Sequence, residues 1–123
     1  MVAAVKTGEG ETLVFIAPSG GVVIHAPLVI GRQLVVPMET KAQTLAFVGA
    51  VVGNWEVDCD AADAYAAGDG GLIWDISTAT IQPAAFTPAT GDLNNCATAM
   101  EAKAGGSGTR LKIAINRVCG TVT

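Results

Sequence analysis

Residues 11–37 read ETLVFIAPSGGVVIHAPLVIGRQLVVP, and their pattern recurs along the whole chain. Short runs rich in Val, Ile and Leu, at 11–17, 22–24, 28–30 and 33–36, are separated by Pro, Gly and small polar residues. β-Branched residues suit a pleated strand, Pro fixes φ, and Gly adopts positive φ without steric cost. The stretch therefore predicts short strands joined by tight turns, the first of them largely apolar on both faces.

Further strands are predicted toward the C-terminus by β-branched runs and by alternation of apolar and polar residues, at 44–52, 54–58, 71–75, 79–82, 95–100 and 109–118. Gly49 within the first of these indicates a bulge or a close backbone approach. The Ala-rich stretch 60–67, DAADAYAA, begins with Asp and precedes Gly68, which predicts one short helix. The sequence thus predicts an all-β fold, a compact sandwich or small barrel of short strands with one short helix, as a single domain over residues 1–123.

The composition is apolar for so small a chain. The sequence has 123 residues, of which 50% are hydrophobic, 15% charged and 5% aromatic, and its mean hydropathy is +0.47. A disordered chain would show the opposite balance, and so much apolar residue with so little charge indicates surface buried against copies or partners. Pro18 and Pro27 interrupt the most apolar window, 12–31, so a membrane-spanning helix is not predicted. The first residues lack the pattern of a secretory signal, so we expect synthesis in the cytoplasm.

The charges are segregated along the chain. Residues 56–102 hold eight acids and no base, whereas residues 103–123 hold four bases and no acid. Nucleic-acid binding requires a concentrated basic face, so this balance argues against it. Two arrangements fit the segregation: like chains that meet acid to base around a symmetry axis, and simple pairing of the two segments within one chain.

Catalytic candidates are scarce. His25 is the only histidine, and none of the serines, Ser19, Ser77 and Ser107, stands in a Gly-x-Ser-x-Gly turn. We interpret His25 as a structural or interfacial residue and expect no enzyme activity. The cysteines are odd in number and lack zinc-knuckle spacing, so we interpret them as buried, reduced, apolar side chains: Cys59, Cys96 and Cys119.

The acidic run at 56–63 has carboxylates spaced by two residues, as in some calcium sites. No glycine-turned loop with a closing Glu follows, so a solvated acidic edge is the preferred interpretation and no metal or other cofactor is expected. Trp55 and Trp74 each precede an acid and are interpreted as core anchors.

Taken in order, several segments resemble the small cement proteins of tailed-phage capsids that are grouped as the domain of unknown function 2190. The plan is an early strand, an Ala-Pro-x-Gly-Gly-Val turn, a strand, a Gly-led strand, a helical turn, Ala-Gly-Asp, Trp-Asp and a basic terminal strand. The matching segments here are 12–16, 17–22, 28–31, 48–57, 66–69, 74–75, 97–104 and 110–116. The resemblance covers nearly the whole chain, although 60–65 and 83–92 depart from the plan.

The resemblance implies a compact β fold, self-association as a homotrimer, and binding of the major capsid protein on the capsid exterior at local threefold positions of the virion. It implies no small-molecule substrate and no membrane or nucleic-acid partner. As capsid-contact residues we predict an apolar N-terminal arm with one base: Val2, Ala3, Ala4, Val5, Lys6 and Thr7. Two alternatives stay open: a small β-barrel ligand-binding or enzyme-accessory protein, and another virion component such as a tail or head-fibre protein.

Overall fold

A computed structural model describes residues 12–116 and 120–121. This part of the chain contains β-strands and turns, and none of its segments is a helix that could cross a membrane. The strands are β1 (Thr12–Ile16), β2 (Leu28–Ile30), β3 (Gln33–Pro37), β4 (Ala46–Ala50), β5 (Gly53–Asp58), β6 (Leu72–Asp75), β7 (Thr80–Gln82), β8 (Leu93–Ala99), β9 (Arg110–Ile115) and β10 (Gly120–Thr121).

The strands form two antiparallel sheets. The first has the order β1-β4-β3-β2, and the second has the order β5-β9-β8-β6-β7, with β10 paired to β8. An isolated parallel bridge joins Cys59, just after β5, to Ile81 in β7, so the ends of the second sheet approach each other. The predicted all-β sandwich is confirmed.

β3 is buried on both faces and connects two hydrophobic clusters. Leu34 and Val36 point into the larger cluster, which lies between the two sheets, while Val35 points into a smaller cluster on the opposite face of the first sheet. The consecutive apolar residues of this short run are therefore all buried, as is typical of a strand covered on both sides.

Gly49 lies where two neighbouring side chains, Val35 and Phe15, approach the backbone closely. A Cβ at this position would overlap Val35 Cγ1 and stand 3.2 Å from the ring of Phe15. The close approach predicted from the sequence is confirmed, and it lets Phe15 stack on Phe47 with ring centroids 5.7 Å apart.

The predicted helix at 60–67 is wrong, because this segment forms turns around Lys103. Lys103 is only 8% exposed, and its Nζ donates to the carbonyl oxygens of Asp60, Ala61 and Asp63 at 3.5, 3.1 and 2.7 Å. Tyr65 and Lys103 also form a two-way backbone bridge. In a helix, each of these carbonyl oxygens would accept from the N–H four residues later. Here they accept instead from the ammonium group of Lys103, which is distant in the sequence.

The other boundary errors also have local causes. The predicted strand 22–24 reduces to one bridge at Val22, because His25 adopts a φ of 63° and its amide turns to donate to Pro37 O at 2.8 Å. β8 begins at Leu93 rather than at residue 95, and Asn95 within it has a φ of 51°. Such a residue is typical of a bulge, and the pairing of β8 with β6 is out of register there.

Replacing Lys103 with Met tests this account of the 60–67 segment. The substitution leaves several carbonyl oxygens without a donor, so we expect the free energy of unfolding to fall by about 1–3 kcal/mol. Lys112→Met, at an exposed position of β9, is the matched control and should change stability by less than about 0.5 kcal/mol. Urea unfolding monitored by tryptophan fluorescence measures both, and equal midpoints for the two variants would contradict the role of Lys103.

Candidate association surface

The most exposed apolar side chains of the first sheet lie on its edge strand. Val14 is 71% exposed and Ile16 is 64% exposed, and both belong to β1, which pairs only with β4 among the strands that the structure describes. Residues that face each other across an antiparallel pair point to the same side, so Val14 shares its face with Val48, and Ile16 shares its face with Ala46. We call these four residues the apolar shelf.

The apolar shelf continues a face that is buried elsewhere. Farther along the same strands, Thr12 faces Ala50, and Ala50 faces Val36 in the core between the sheets. The second sheet covers Ala50 and Val36 but does not extend over the shelf, which explains the exposure of Val14 and Ile16. Isolated apolar residues on a surface are common, but a continuous strip along an open strand is typical of an interaction site.

The hydrogen-bonding pattern shows which backbone groups of β1 point outward. Met38 N–H donates to Val48 O at 2.9 Å, so the backbone N–H and C=O of Val48 point toward β3. Bonding alternates along an antiparallel strand, so Phe47 and Gly49 bond to β1, and their partners are Phe15 and Leu13. The N–H and C=O groups of Val14 and Ile16 therefore point away from the sheet, beside exposed apolar side chains.

A second apolar surface lies at the opposite edge of the same sheet. Here a cleft of about 420 Å³ separates β2 from the turn between β6 and β7. It is lined by Pro27, Leu28 and Val29 on one side and by Trp74, Ile76 and Ala79 on the other. We call this the β2 cleft. Among these side chains, only Trp74 carries a polar group, its indole N–H, so the lining offers little to orient a particular ligand.

Two buried carboxylates hold the rim of the β2 cleft. Asp75 Oδ1 accepts from the N–H and hydroxyl of Ser77 at 3.0 and 2.7 Å, and its Oδ2 accepts from Thr78 Oγ1 at 3.0 Å. Asp92 Oδ1 accepts from Ile76 N–H at 3.1 Å. Burial alone would raise the pKa of Asp75, but the hydrogen bonds from Ser77 and Thr78 outweigh it, so this pKa is lowered.

Charged side chains on the strands pair within the chain. Arg110 on β9 lies beside β5, where its Nη1 is 2.7 Å from Asp58 Oδ1 and its Nε is 3.3 Å from Glu56 Oε1. Hydrogen bonding to Asp58 is the main reason that the pKa of Arg110 is raised. Of the two arrangements that fit the charge segregation, pairing within one chain is therefore present for Arg110. These groups are about half exposed, so the pairs add little stability.

Of the other candidate residues from the sequence, the structure describes Cys59, Cys96 and His25. Cys59 and Cys96 are buried, as expected, and burial raises the pKa of the Cys59 thiol more than nearby Lys103 lowers it. His25 packs beside Trp55 with ring centroids 5.9 Å apart. In the residues that the structure describes, no group of three His, Cys, Asp or Glu side chains is placed to hold a metal ion.

The two tryptophans differ in burial, and some predicted positions lie outside the described residues. Trp74 is a buried core residue, as predicted, whereas Trp55 is only partly buried. Cys119 and the predicted capsid-contact residues Val2 to Thr7 lie outside the described residues. The β2 cleft was missed because its two walls are far apart in the sequence, whereas the shelf had a signal in the apolar faces of 11–17.

Comparisons with protein-family models, with curated proteins and with solved structures found no match.

The lowered pKa of Asp75 predicts an acid-dependent loss of stability. A carboxylate whose pKa is lower in the folded state stabilises the fold above its unfolded pKa of about 3.9, and this stabilisation is lost as the pH falls through the folded pKa. Asp75→Asn should lower the free energy of unfolding at pH 7 by about 1–2 kcal/mol, with the difference from wild type shrinking below about pH 4.

Ser77→Ala is the control for this experiment, because it removes one donor and keeps the carboxylate. Urea unfolding between pH 2.5 and 7 should show the largest acid-dependent loss for wild type, a smaller one for Ser77→Ala, which lacks one of the donors that lower the pKa of Asp75, and the smallest for Asp75→Asn. Parallel profiles for Asp75→Asn and wild type would show that Asp75 does not contribute to the acid dependence.

Proposed function

We propose that this protein is a structural virion protein, a homotrimeric cement protein that binds the outer face of a tailed-phage capsid at local threefold positions and stabilises the shell. The observation that carries the proposal is the open edge of β1, where exposed Val14 and Ile16 accompany outward backbone groups. Such an edge is a template for pairing with another chain. The resemblance to capsid cement proteins supports the same function.

The body behind this edge is suited to a mechanical role. Both faces of β3 are packed, and the buried polar side chains of Lys103, Asp75 and Asp92 each have several hydrogen-bond partners. A shell protein must transmit load without rearranging, and fully satisfied buried polar groups favour one arrangement.

The magnitudes favour attachment through repeated weak contacts. Burying what remains exposed of Val14 and Ile16 would contribute about 2–4 kcal/mol in all. Association costs about 4–15 kcal/mol in lost translational and rotational freedom. One such contact is therefore weak, whereas linked contacts made by a trimer on a symmetric lattice raise the effective concentration of each later contact.

The shell contact is proposed to involve Val2, Ala3, Ala4, Val5, Lys6 and Thr7. Thr7 precedes Thr12 of β1 by five residues, so chain connectivity limits the distance between them to roughly 18 Å. An arm on this tether would contact the shell close to the β1 edge. Apolar side chains would bury against the lattice, and Lys6 would pair with an acidic shell surface.

The cleft at β2 is the observation that supports the main alternative, a small ligand-binding β protein. Its volume of about 420 Å³ is within the range of small-molecule sites, but its lining offers few polar groups to orient a ligand. A compound that raises the melting temperature of a monomeric protein that binds no shell would favour this alternative over the cement function.

Deleting residues 2–7 tests the shell contact. The truncated protein should fold with an unchanged melting temperature and should decorate undecorated shells at least tenfold more weakly in a sedimentation assay. The loss is expected because each copy would lose its apolar contact with the lattice.

The matched control replaces residues 2–7 with a Gly-Ser segment of the same length. This variant should decorate as poorly as the deletion if the side chains make the contact. Wild-type decoration by either variant would show that the arm assignment is wrong, and failure of the intact protein to bind any shell would contradict the cement function itself.

A further inference from the structure

The two apolar surfaces of the first sheet lie at its opposite edges, and this arrangement has a consequence for assembly. The apolar shelf is on β1, and the β2 cleft adjoins β2, in a sheet ordered β1-β4-β3-β2. A closed ring of three copies requires a head-to-tail contact between two different surfaces, whereas a twofold dimer requires one surface that matches itself. The sheet presents two different apolar surfaces, as a ring requires.

We propose that copies of this chain associate head to tail, with β1 of one copy adding to the outer edge of β2 in the next and inserting Val14 and Ile16 into the β2 cleft. This inference rests on the proposed function for the number of copies and specifies the interface. The occupant of the cleft is thus a second copy of the chain.

Strand direction is compatible with this addition. Each neighbouring pair in the first sheet is antiparallel, so β1 and β3 run one way while β4 and β2 run the other. Copies around a rotation axis share one orientation relative to it. If that axis runs roughly along the strands, β1 of one copy and β2 of the next are antiparallel, and the first sheet would continue from copy to copy without a reversal.

Backbone groups are available on both sides of this contact. Because Met38 donates to Val48, the residues of β3 that bond to β2 are Gln33 and Val35, which pair with Ile30 and Leu28. The N–H and C=O of Val29, between those two, therefore point outward. They can exchange two hydrogen bonds with the outward groups of Val14 in the next copy. In that register Ile16 N–H can donate to the carbonyl of Pro27. Pro27 has no backbone N–H to donate in return.

Side-chain parity agrees with the same register. Val29 packs on the core between the sheets, so it shares a face with the apolar shelf. Placing Val14 opposite Val29 puts Val14 and Ile16 on the side where Trp74 and Ile76 form the far wall of the cleft. A shift by one residue would reverse the faces, so the register is specified by burial as well as by hydrogen bonding.

Charge substitution at each surface tests the contact. Val14→Lys blocks the shelf, and Ile76→Lys blocks the cleft, at side chains 71% and 47% exposed, so both variants should fold with melting temperatures near that of wild type. Met100→Lys, at a side chain 50% exposed and outside both surfaces, is the matched control. In sedimentation-velocity experiments, wild type and Met100→Lys should be trimers, and each of the other two variants should be a monomer.

Mixing the two monomeric variants gives the decisive result. The Val14→Lys copy retains an intact cleft and the Ile76→Lys copy retains an intact shelf, so an equimolar mixture should form a dimer with one copy of each. Ala79→Asp is a second cleft variant if Ile76→Lys does not fold, because Asp tolerates the positive φ of 54° at this position.

Other outcomes overturn the proposal in distinguishable ways. Dimers of Ile76→Lys alone, with Val14→Lys monomeric, would show twofold pairing of β1 with itself. Trimers of both variants would show that the interface lies elsewhere, and a monomeric wild type at every concentration would exclude head-to-tail association. Shell decoration is measured separately, so a head-to-tail trimer that binds no shell would contradict the proposed function and leave this inference standing.

Discussion

Burial of β3 on both faces is the constraint on which the rest of the structure depends. A strand with Leu34, Val35 and Val36 all inaccessible to solvent must be covered on two sides, so packing of the first sheet against the second accounts for only part of its burial. The second sheet covers one face, and a separate small cluster covers the other. Truncating Leu34 or Val36 would leave a cavity in the larger cluster. Truncating Val35 would leave a cavity in the smaller cluster and remove the contact with Gly49.

The same constraint explains why apolar surface stays exposed. The second sheet packs on the first where β3 lies close to β8, and Val14 and Ile16 of β1 stay exposed. The strip of Val14 and Ile16 is thus a part of an interior face that stays exposed in the part of the chain that the structure describes. In the proposed head-to-tail contact, a second copy of the chain would remove this strip from water.

Irregular segments of the chain are held by buried polar side chains instead of by secondary structure. Lys103 binds the carbonyls of the 60–63 turn, and Asp75 and Asp92 bind the amides around Ile76. Lys103 and Asp92 bond to backbone groups, and Asp75 bonds to one backbone N–H and two side-chain hydroxyls. These hydrogen bonds fix the shape of turns that have no regular secondary structure. The β2 cleft is one product of this arrangement, since Asp75 and Asp92 hold the turn that forms its far wall.

The sequence alone determined the all-β class, most strand positions, the close approach at Gly49 and the burial of Cys59 and Cys96, because alternation, β-branching and glycine act over a few residues. It also contained the signal for the shelf, since 11–17 is apolar on both faces. Only the tertiary structure decided that 60–67 is not a helix and that residues 27–29 and 74–79 form one cleft. Both outcomes depend on contacts between residues far apart in the chain, such as Lys103 with Asp63, which local propensity does not encode.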